Sequence, residues 1–319
     1  NVAITGEPPQ EERVIQGLPV LLNATVVNSS ADRPAETVLS VLLDEELARQ
    51  INLTLQPKQR ITQSISIIPN HSGMIRGQFQ LPGDAFPEDD TFLFCLNAAE
   101  KLDVLLVTGP AGESRAGSAE VYVKAALTSP QNVSGTLNLE ESRLAAAIQV
   151  ITVPFDQLTE ALLNTSDAVI AADVPMDAAR GILLQRYVES GGGLFILPGV
   201  HTNPEDYNQY LLAAATSQLR LAPPVGNEQD ESGFQPVGTI DLAHPVLSAF
   251  AEKEADYFST VKFYRYFPLT INQEEPKEQA ATVSPSAVLM RLGDRTALLA
   301  EVPLGEGKIL VSGFAATAG

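Results

Sequence analysis

His201 is the residue whose type and position best suit chemistry. It follows the apolar run Gly193–Leu197 across the turn Pro198–Val200, and an imidazole titrates close to neutral pH. Loops after the carboxyl ends of strands are where α/β proteins bind their ligands. A hydrolase or amide-processing enzyme would pair His201, as general base, with Glu205 or Asp206. A histidine beside a glycine-rich turn is also a common loop residue, so the pattern leaves both interpretations open.

The remaining histidines and glycine-rich loops give little support for a metal or a cofactor. His71 lies in the predicted hairpin turn Pro69–Gly73, and His244 precedes Pro245 in a pattern typical of a helix start. No two histidines of the sequence have the spacing of zinc ligands. The loop 109–114 lacks the glycine patterns of dinucleotide and phosphate sites. We therefore expect no catalytic residue, no metal and no cofactor.

An acidic turn contains Asp84, Glu88, Asp89 and Asp90. Clustered carboxylate oxygens are the ligands that Ca²⁺ prefers, although these four do not follow the spacing of an EF-hand loop. Aspartate is also favoured in turns because its side chain hydrogen-bonds to nearby backbone. The sequence favours this structural role over a calcium site.

A second candidate surface is aromatic. Tyr264, Arg265 and Tyr266 stand between Phe263 and Phe267, and aromatic and arginine side chains are enriched at binding hot spots. These residues could contact a partner or a ligand. The alternative is a small satellite core beneath a long loop, and the pattern favours that core.

Composition limits the possible partners. The 319 residues carry a formal net charge of −19, which disfavours nucleic acids because their binding depends on clustered Lys and Arg. The single Cys95 lies within the apolar run Phe92–Leu96, which predicts a buried thiol. No apolar run reaches the roughly 20 residues that span a bilayer. Because the sequence starts at Asn1 and ends just after a predicted strand, we expect flanking sequence outside this chain, and only such segments could provide membrane attachment.

The first 99 residues predict an immunoglobulin-like antiparallel β-sandwich. Short runs of alternating apolar residues recur about every ten residues and are separated by turn residues, which is typical of such sandwiches. The predicted strands cover Leu18–Asn28, Glu36–Asp44, Gln50–Leu55, Gln59–Ile68, Met74–Leu81 and Thr91–Ala98.

Residues 100–319 predict an α/β domain with a parallel, flavodoxin-like sheet. The continuous apolar run Leu102–Val107 is typical of a strand covered on both faces. Strands and helices then alternate as in a doubly wound sheet: Ser118–Leu127, Ile148–Val153, Phe155–Asn164, Asp167–Ala172, Met176–Ser190, Gly193–Leu197 and Pro204–Thr216. An irregular insertion follows at about 218–285. The last strands, joined by turns at Gly293–Arg295 and Gly305–Gly307, predict antiparallel hairpins.

Three stretches resemble Bat-type aerotolerance proteins: Asp84–Phe92 running into Lys101–Val107, Leu184–Gly199, and Leu304–Val311. The resemblance implies a class I glutamine amidotransferase-like fold after the sandwich. It also implies membrane attachment, exposure on the periplasmic side, and a role in envelope stress or assembly. In amidotransferases the turn after this glycine-rich strand carries a nucleophilic cysteine, whereas here it reads Pro198-Gly199-Val200-His201.

We therefore expect a non-catalytic extracytoplasmic module that contacts a protein partner through its degenerate site or its aromatic segment. Two alternatives stay open. One is a hydrolase or amide-processing enzyme that uses His201, and the other is a module that binds a small molecule or a carbohydrate. The sequence does not indicate an oligomeric state.

Overall fold

The computed structural model describes residues 2–6, 14–109, 118–128, 143, 145–215, 219–227, 229–230, 233–250, 258, 260–271 and 287–315. Of the loop 109–114, only Gly109 lies within these ranges. Two compact units make up the chain, Asn1–Leu102 with Pro130–Ile148 and Asp103–Ser129 with Gln149–Gly319.

The first unit is an immunoglobulin-like β-sandwich. Its strands are β1 (Val2–Gly6), β2 (Val14–Ile15), β3 (Val20–Asn28), β4 (Ala35–Leu43), β5 (Glu46–Leu55), β6 (Arg60–Ile67), β7 (Gly73–Gln80) and β8 (Thr91–Ala99). One sheet has the order β1-β3-β6 and the other β2-β8-β7-β4-β5. All pairs between these strands are antiparallel except β2 with β8. The chain thus crosses repeatedly between the two sheets, as in immunoglobulin-like sandwiches.

Alternation with period two builds the core of this unit. On β3, Leu22, Ala24 and Val26 are buried, while the residues between them are half-buried. On β7, Ile75 and Phe79 are buried in the same core cluster. Burial of each large apolar side chain contributes roughly 1.5–3 kcal/mol, and the inward-facing side chains of both sheets form one cluster.

Two sequence predictions in this unit were wrong. Cys95 is exposed because it occupies an outward position of β8, between the buried Phe94 and Leu96. His71 does not lie in a hairpin turn, since β6 pairs with β3 while β7 pairs with β4 and β8. The segment that contains His71 therefore crosses from one sheet to the other.

The second unit is built on a mixed sheet. Its strands are β9 (Leu102–Thr108), β10 (Ile148–Pro154), β11 (Ala168–Ala172), β12 (Gly193–Leu197), β13 (Leu219–Leu221), β14 (Val225–Gly226), β15 (Gln235–Ile240), β16 (Lys262–Phe263), β17 (Arg265–Tyr266), β18 (Leu269–Ile271), β19 (Ala287–Leu292), β20 (Ala297–Leu304) and β21 (Gly307–Ser312). The main path has the order β10-β9-β11-β12-β21-β20-β19-β15-β16. Strands β9, β11, β12 and β21 pair in parallel, whereas β21, β20, β19, β15 and β16 pair antiparallel.

The predicted parallel sheet is thus only part of a larger sheet. The antiparallel hairpins expected at the end of the chain are confirmed, with turns at Gly293–Arg295 and Gly305–Glu306. The insertion at about 218–285 is not wholly irregular, because its described part adds β15 and β16 to the sheet and pairs β13 with β18. These strands are only two to six residues long, so their pattern is weak in the sequence.

The helices of this unit are α1 (Ala119–Thr128), α2 (Glu160–Asn164), α3 (Ala178–Glu189) and α4 (Pro204–Tyr210). The helix predicted over Phe155–Asn164 is instead a 3-10 turn at Phe155–Gln157 followed by the short α2. Thr159 follows that turn and caps α2, since its hydroxyl accepts the Leu162 amide hydrogen bond. Asp177 caps α3 in the same way.

Candidate functional site

The carboxyl ends of β9, β11 and β12 meet at one edge of the sheet. In the parallel register, Val107 pairs with Ala171 and Ala172 pairs with Leu197, so the residues that follow each strand lie side by side. A Cβ atom added to Gly109, after β9, would lie 3.2 Å from the Asp173 carbonyl oxygen and 3.5 Å from His201 Nδ1. Three distant parts of the sequence thus converge here.

An Asp–His pair is the centre of this edge. His201 Nδ1 lies 3.1 Å from Asp173 Oδ2, and the His201 backbone N–H donates to Asp173 Oδ1 at 2.7 Å. The Asp173 side chain is 15% exposed and the His201 side chain 35% exposed. When neutral, the imidazole can donate from Nδ1 to the carboxylate, so Nε2 is the nitrogen that would act on an external group.

Backbone contacts fix the position of Asp173. Its φ of 51° lies in the left-handed region, which aspartate tolerates better than most residues, and its N–H donates to the Leu197 carbonyl at 2.9 Å. Gly199 lies so close that a Cβ atom there would overlap the Asp173 carboxylate. The glycine in the turn therefore makes room for the group that holds the imidazole.

The turn after β12 closes on itself. The Gly199 N–H donates to the buried Thr202 hydroxyl at 2.9 Å, and the Thr202 N–H donates to the Gly199 carbonyl at 3.3 Å. Val200, at the tip, is 79% exposed. The apex of the turn thus presents an apolar side chain instead of a thiol or a hydroxyl.

The buried Tyr207 of α4 supports this edge of the sheet through a hydrogen bond. Its hydroxyl donates to the Val174 carbonyl at 2.9 Å within the core. Burial raises the pKa of Tyr207 far above its ordinary value, and the nearby charge of Asp173 raises the pKa further. The phenol therefore stays a neutral donor that ties α4 to the segment after β11.

The two carboxylates predicted to assist His201 lie on α4. Glu205 is exposed on α4. Asp206 accepts a hydrogen bond from Asn203 Nδ2 at 2.8 Å, and Asn203 Oδ1 caps the helix by accepting the Glu205 N–H at 3.1 Å. The carboxylate that engages the His201 ring is Asp173, which sequence reasoning missed. Its signal was available, because Asp173 directly follows the buried strand β11 as His201 follows β12.

The aromatic segment is divided between core and surface. Tyr266 is buried in a small cluster with Leu247 and Leu289, and its hydroxyl donates to Asp294 Oδ2 at 3.3 Å. Burial and the neighbouring Asp294 both raise the pKa of Tyr266. Tyr266 therefore has the structural role that the sequence favoured.

The neighbours of Tyr266 in the aromatic segment are more accessible. Tyr264 is half-buried, and its ring centroid lies 6.0 Å from that of Phe234. Lys262 Nζ lies 4.5 Å from the centroid of the same Phe234 ring, within range of a cation–π interaction. Arg265 is exposed, and in the pairing of β17 with β14 it lies opposite Gly226. These contacts all lie within the insertion.

Among the described residues, the acidic groups close enough to share a metal ion are in the first unit. Asp84, Asp89 and Asp90 each offer a carboxylate oxygen within 4.8 Å of the others. No helix of the described chain combines the length and apolar character needed to cross a membrane.

Comparison with known proteins gives only distant likenesses. No family model and no curated protein matches the chain. Among solved structures, the CARDB domain of a Pyrococcus furiosus protein in complex with di-metal ions is 17% identical, with a TM-score of 0.26, over 31% of this chain and 85% of that chain. An exo-beta-1,4-mannosidase from Opitutaceae bacterium strain TAV5 is 12% identical, with a TM-score of 0.39, over 67% of this chain and 31% of the enzyme.

A beta-glucosidase from Listeria innocua is 15% identical, with a TM-score of 0.25, over 31% of this chain and 16% of the enzyme. TM-scores this low carry no functional argument. The fold of this chain is defined by its own strand pairings.

Proposed function

We propose that the chain is a non-catalytic extracytoplasmic interaction module of a membrane-anchored bacterial protein, with a role in envelope stress or assembly. The observation that carries this proposal is the tip of the turn after β12. Where amidotransferases present a nucleophile, Val200 is 79% exposed, and the adjacent His201 is held by Asp173. An exposed apolar side chain beside an anchored polar pair suits contact with another protein.

The amidotransferase-like, flavodoxin-like fold is part of this proposal. Counted along the chain, the strand order β10-β9-β11-β12-β21 corresponds to 2-1-3-4-5, the order of flavodoxin-like sheets. In such sheets ligands bind where the strand order reverses, outside the carboxyl ends of the strands. That point lies between β9 and β11, where Gly109, Asp173 and His201 meet.

Site-specific photo-crosslinking tests the contact surface. A photoreactive phenylalanine analogue would replace Val200 in the protein produced in its own cells, and Ile182 on α3, which is 47% exposed, would be the control position. We expect a discrete protein adduct from position 200 and none from position 182. Equal adducts at both positions, or none at either, would contradict the proposal.

A second candidate is an enzyme that uses His201 as general base. The observation that favours it is the 3.1 Å contact between His201 Nδ1 and Asp173 Oδ2, because catalytic histidines are commonly oriented by a carboxylate at that nitrogen. Nε2 would then take a proton from an attacking water molecule.

Turnover measurements separate the two candidates. Wild type, His201→Ala and Asp173→Asn would be assayed with glutamine and simple amides and esters, with circular dichroism to check folding. Turnover that disappears in folded His201→Ala protein would replace the interaction proposal with the enzyme. Equal background rates in all three proteins would support the interaction module.

A further inference from the structure

The turn between β7 and β8 brings three carboxylates together. Asp84 is exposed, Asp89 is half-buried and Asp90 is buried, and one oxygen of each lies within 4.8 Å of the others. The 3-10 turn Pro87–Asp89 produces this arrangement by folding the chain back on itself. Like charges at such distances repel one another unless a positive charge lies between them.

Asp90 provides an independent sign that this turn binds a ligand. It is only 5% exposed, and its Oδ2 accepts the Asp84 N–H at 3.1 Å, so the carboxyl group points toward Asp84. Its Oδ1 is buried and has no hydrogen-bond partner among the described residues. A buried carboxylate oxygen without a partner is costly and rare in native proteins, and a bound cation would satisfy it.

The cluster is also preorganised. Asp84 Oδ1 accepts the Phe86 N–H at 2.8 Å, and Asp84 Oδ2 accepts the Val2 N–H at 2.9 Å. These two bonds fix the orientation of the Asp84 carboxylate within the turn. The Asp90 carbonyl accepts the Leu81 N–H at 2.9 Å, which fixes the other end of the turn.

We propose that this turn is a calcium site in which Asp84, Asp89 and Asp90 supply carboxylate oxygens. Ca²⁺ accepts six to eight oxygens in flexible geometry, whereas Mg²⁺ requires a near-ideal octahedron. An irregular turn with three acidic groups, one of them exposed, suits Ca²⁺. This inference is independent of the proposed function, because the site lies in the sandwich and involves neither His201 nor Asp173.

Calorimetric titration of the whole chelator-treated chain with CaCl₂ tests the proposal, in about 0.15 M salt to suppress weak surface binding. Asp90→Asn removes a ligand. Glu88→Gln is the matched control, because Glu88 is an exposed residue of the same turn that is not part of the cluster. We expect one Ca²⁺ per chain with a Kd of about 10⁻⁴–10⁻³ M, the range of extracellular modules. Affinity should fall at least about tenfold in Asp90→Asn and stay within about twofold in Glu88→Gln.

Three results would overturn the proposal. The first is no binding to the wild type at about 10 mM Ca²⁺, the second is an equal loss in Glu88→Gln and Asp90→Asn, and the third is equal affinity for Mg²⁺. If Asp90→Asn does not fold, the exposed Asp84→Asn takes its place. A similar loss of affinity in that variant supports the site, and unchanged affinity contradicts it.

Discussion

Two Asp–His pairs in this chain have nearly the same pattern of hydrogen bonds. Asp44 Oδ2 lies 2.8 Å from His71 Nε2, and Asp44 Oδ1 accepts the Arg76 N–H at 3.0 Å. Asp173 Oδ2 lies 3.1 Å from His201 Nδ1, and Asp173 Oδ1 accepts the His201 N–H at 2.7 Å. Both aspartates have positive φ, 47° and 51°. Each uses one oxygen for a ring and the other for the backbone.

Their surroundings differ. Asp44 lies in the tight turn between β4 and β5, and its side chain is 39% exposed. The side chain of Asp173 is 15% exposed and lies at the carboxyl edge of parallel strands, where Gly109 and Gly199 leave room beside it. An Asp–His contact alone therefore does not define a site. We propose a functional role only for the partly buried pair, because it lies at an edge where other strands converge.

The largest expected difference between the pairs is in stability. Asp173→Asn should lower the free energy of unfolding of the second unit by about 2 kcal/mol, because it weakens hydrogen bonds to a mostly buried charged group. Asp44→Asn should have a smaller effect, because solvent screens the exposed pair. Urea unfolding of both variants measures this. Equal losses of stability would remove the distinction between the two pairs.

A smaller effect is expected from Gly199→Ala. The new Cβ atom would overlap the Asp173 carboxylate, and overpacking of this kind costs about 1–2 kcal/mol. Gly193→Ala is the matched control, since nothing described lies within 4 Å of the position a Cβ atom would take there. In an Asp173→Ala background the cost of Gly199→Ala should shrink without vanishing, because the carboxylate is gone while the residue 173 Cβ atom, 2.7 Å from the new Cβ, remains. An undiminished cost would contradict this contact.

The smallest expected effect is the pH dependence of the stability that the exposed pair, Asp44 and His71, contributes. The pKa of His71 is raised above 6.5, first by its hydrogen bond with the Ser72 carbonyl and then by Asp44. The pKa of Asp44 is lowered below 3.8, first by the Arg76 N–H and then by His71. Stability from His71 is complete below pH 6.5 and is lost as pH rises through its raised pKa. Stability from Asp44 is present above 3.8 and is lost as pH falls through its lowered pKa.

NMR titration of the imidazole signals checks these directions. In Asp44→Asn the pKa of His71 should move down toward 6.5 but not reach it, because the Ser72 carbonyl still favours the protonated ring. An unchanged His71 pKa in that variant would show that the Asp44 contact does not persist in solution.

The sequence predicted His201 as a site residue because it follows a strand, and loops after the carboxyl ends of strands bind ligands in α/β proteins. Recognising such a position needs only local sequence. The same rule would have selected Asp173, which directly follows β11. Glu205 and Asp206, the partners that the sequence suggests, are close to His201 along the chain, yet both contact the Asn203 side chain at the start of α4. The Glu205 N–H donates to Asn203 Oδ1, and the Asp206 carboxylate accepts from Asn203 Nδ2. Residues at a helix start are drawn into capping, so closeness in sequence was a poor guide to a tertiary partner.

Cys95 shows a different limit. In the run Phe92–Leu96 every residue is apolar or a thiol, so period two does not reveal which side chains face inward. The register of β8 against β7 makes that choice, placing Cys95 opposite Arg76 on the outward face. Only pairing with a neighbouring strand could decide it.

By itself the sequence determined the positions of most strands, the sandwich, the closing hairpins and the absence of a cysteine in the turn after β12. These features follow from short-range periodicity and turn chemistry, which a few neighbouring residues encode. The tertiary structure alone decided that the mixed sheet extends into the insertion and that His201 meets Asp173, 28 residues away. Strand order and register depend on hydrogen bonds between distant segments, and no local pattern specifies them.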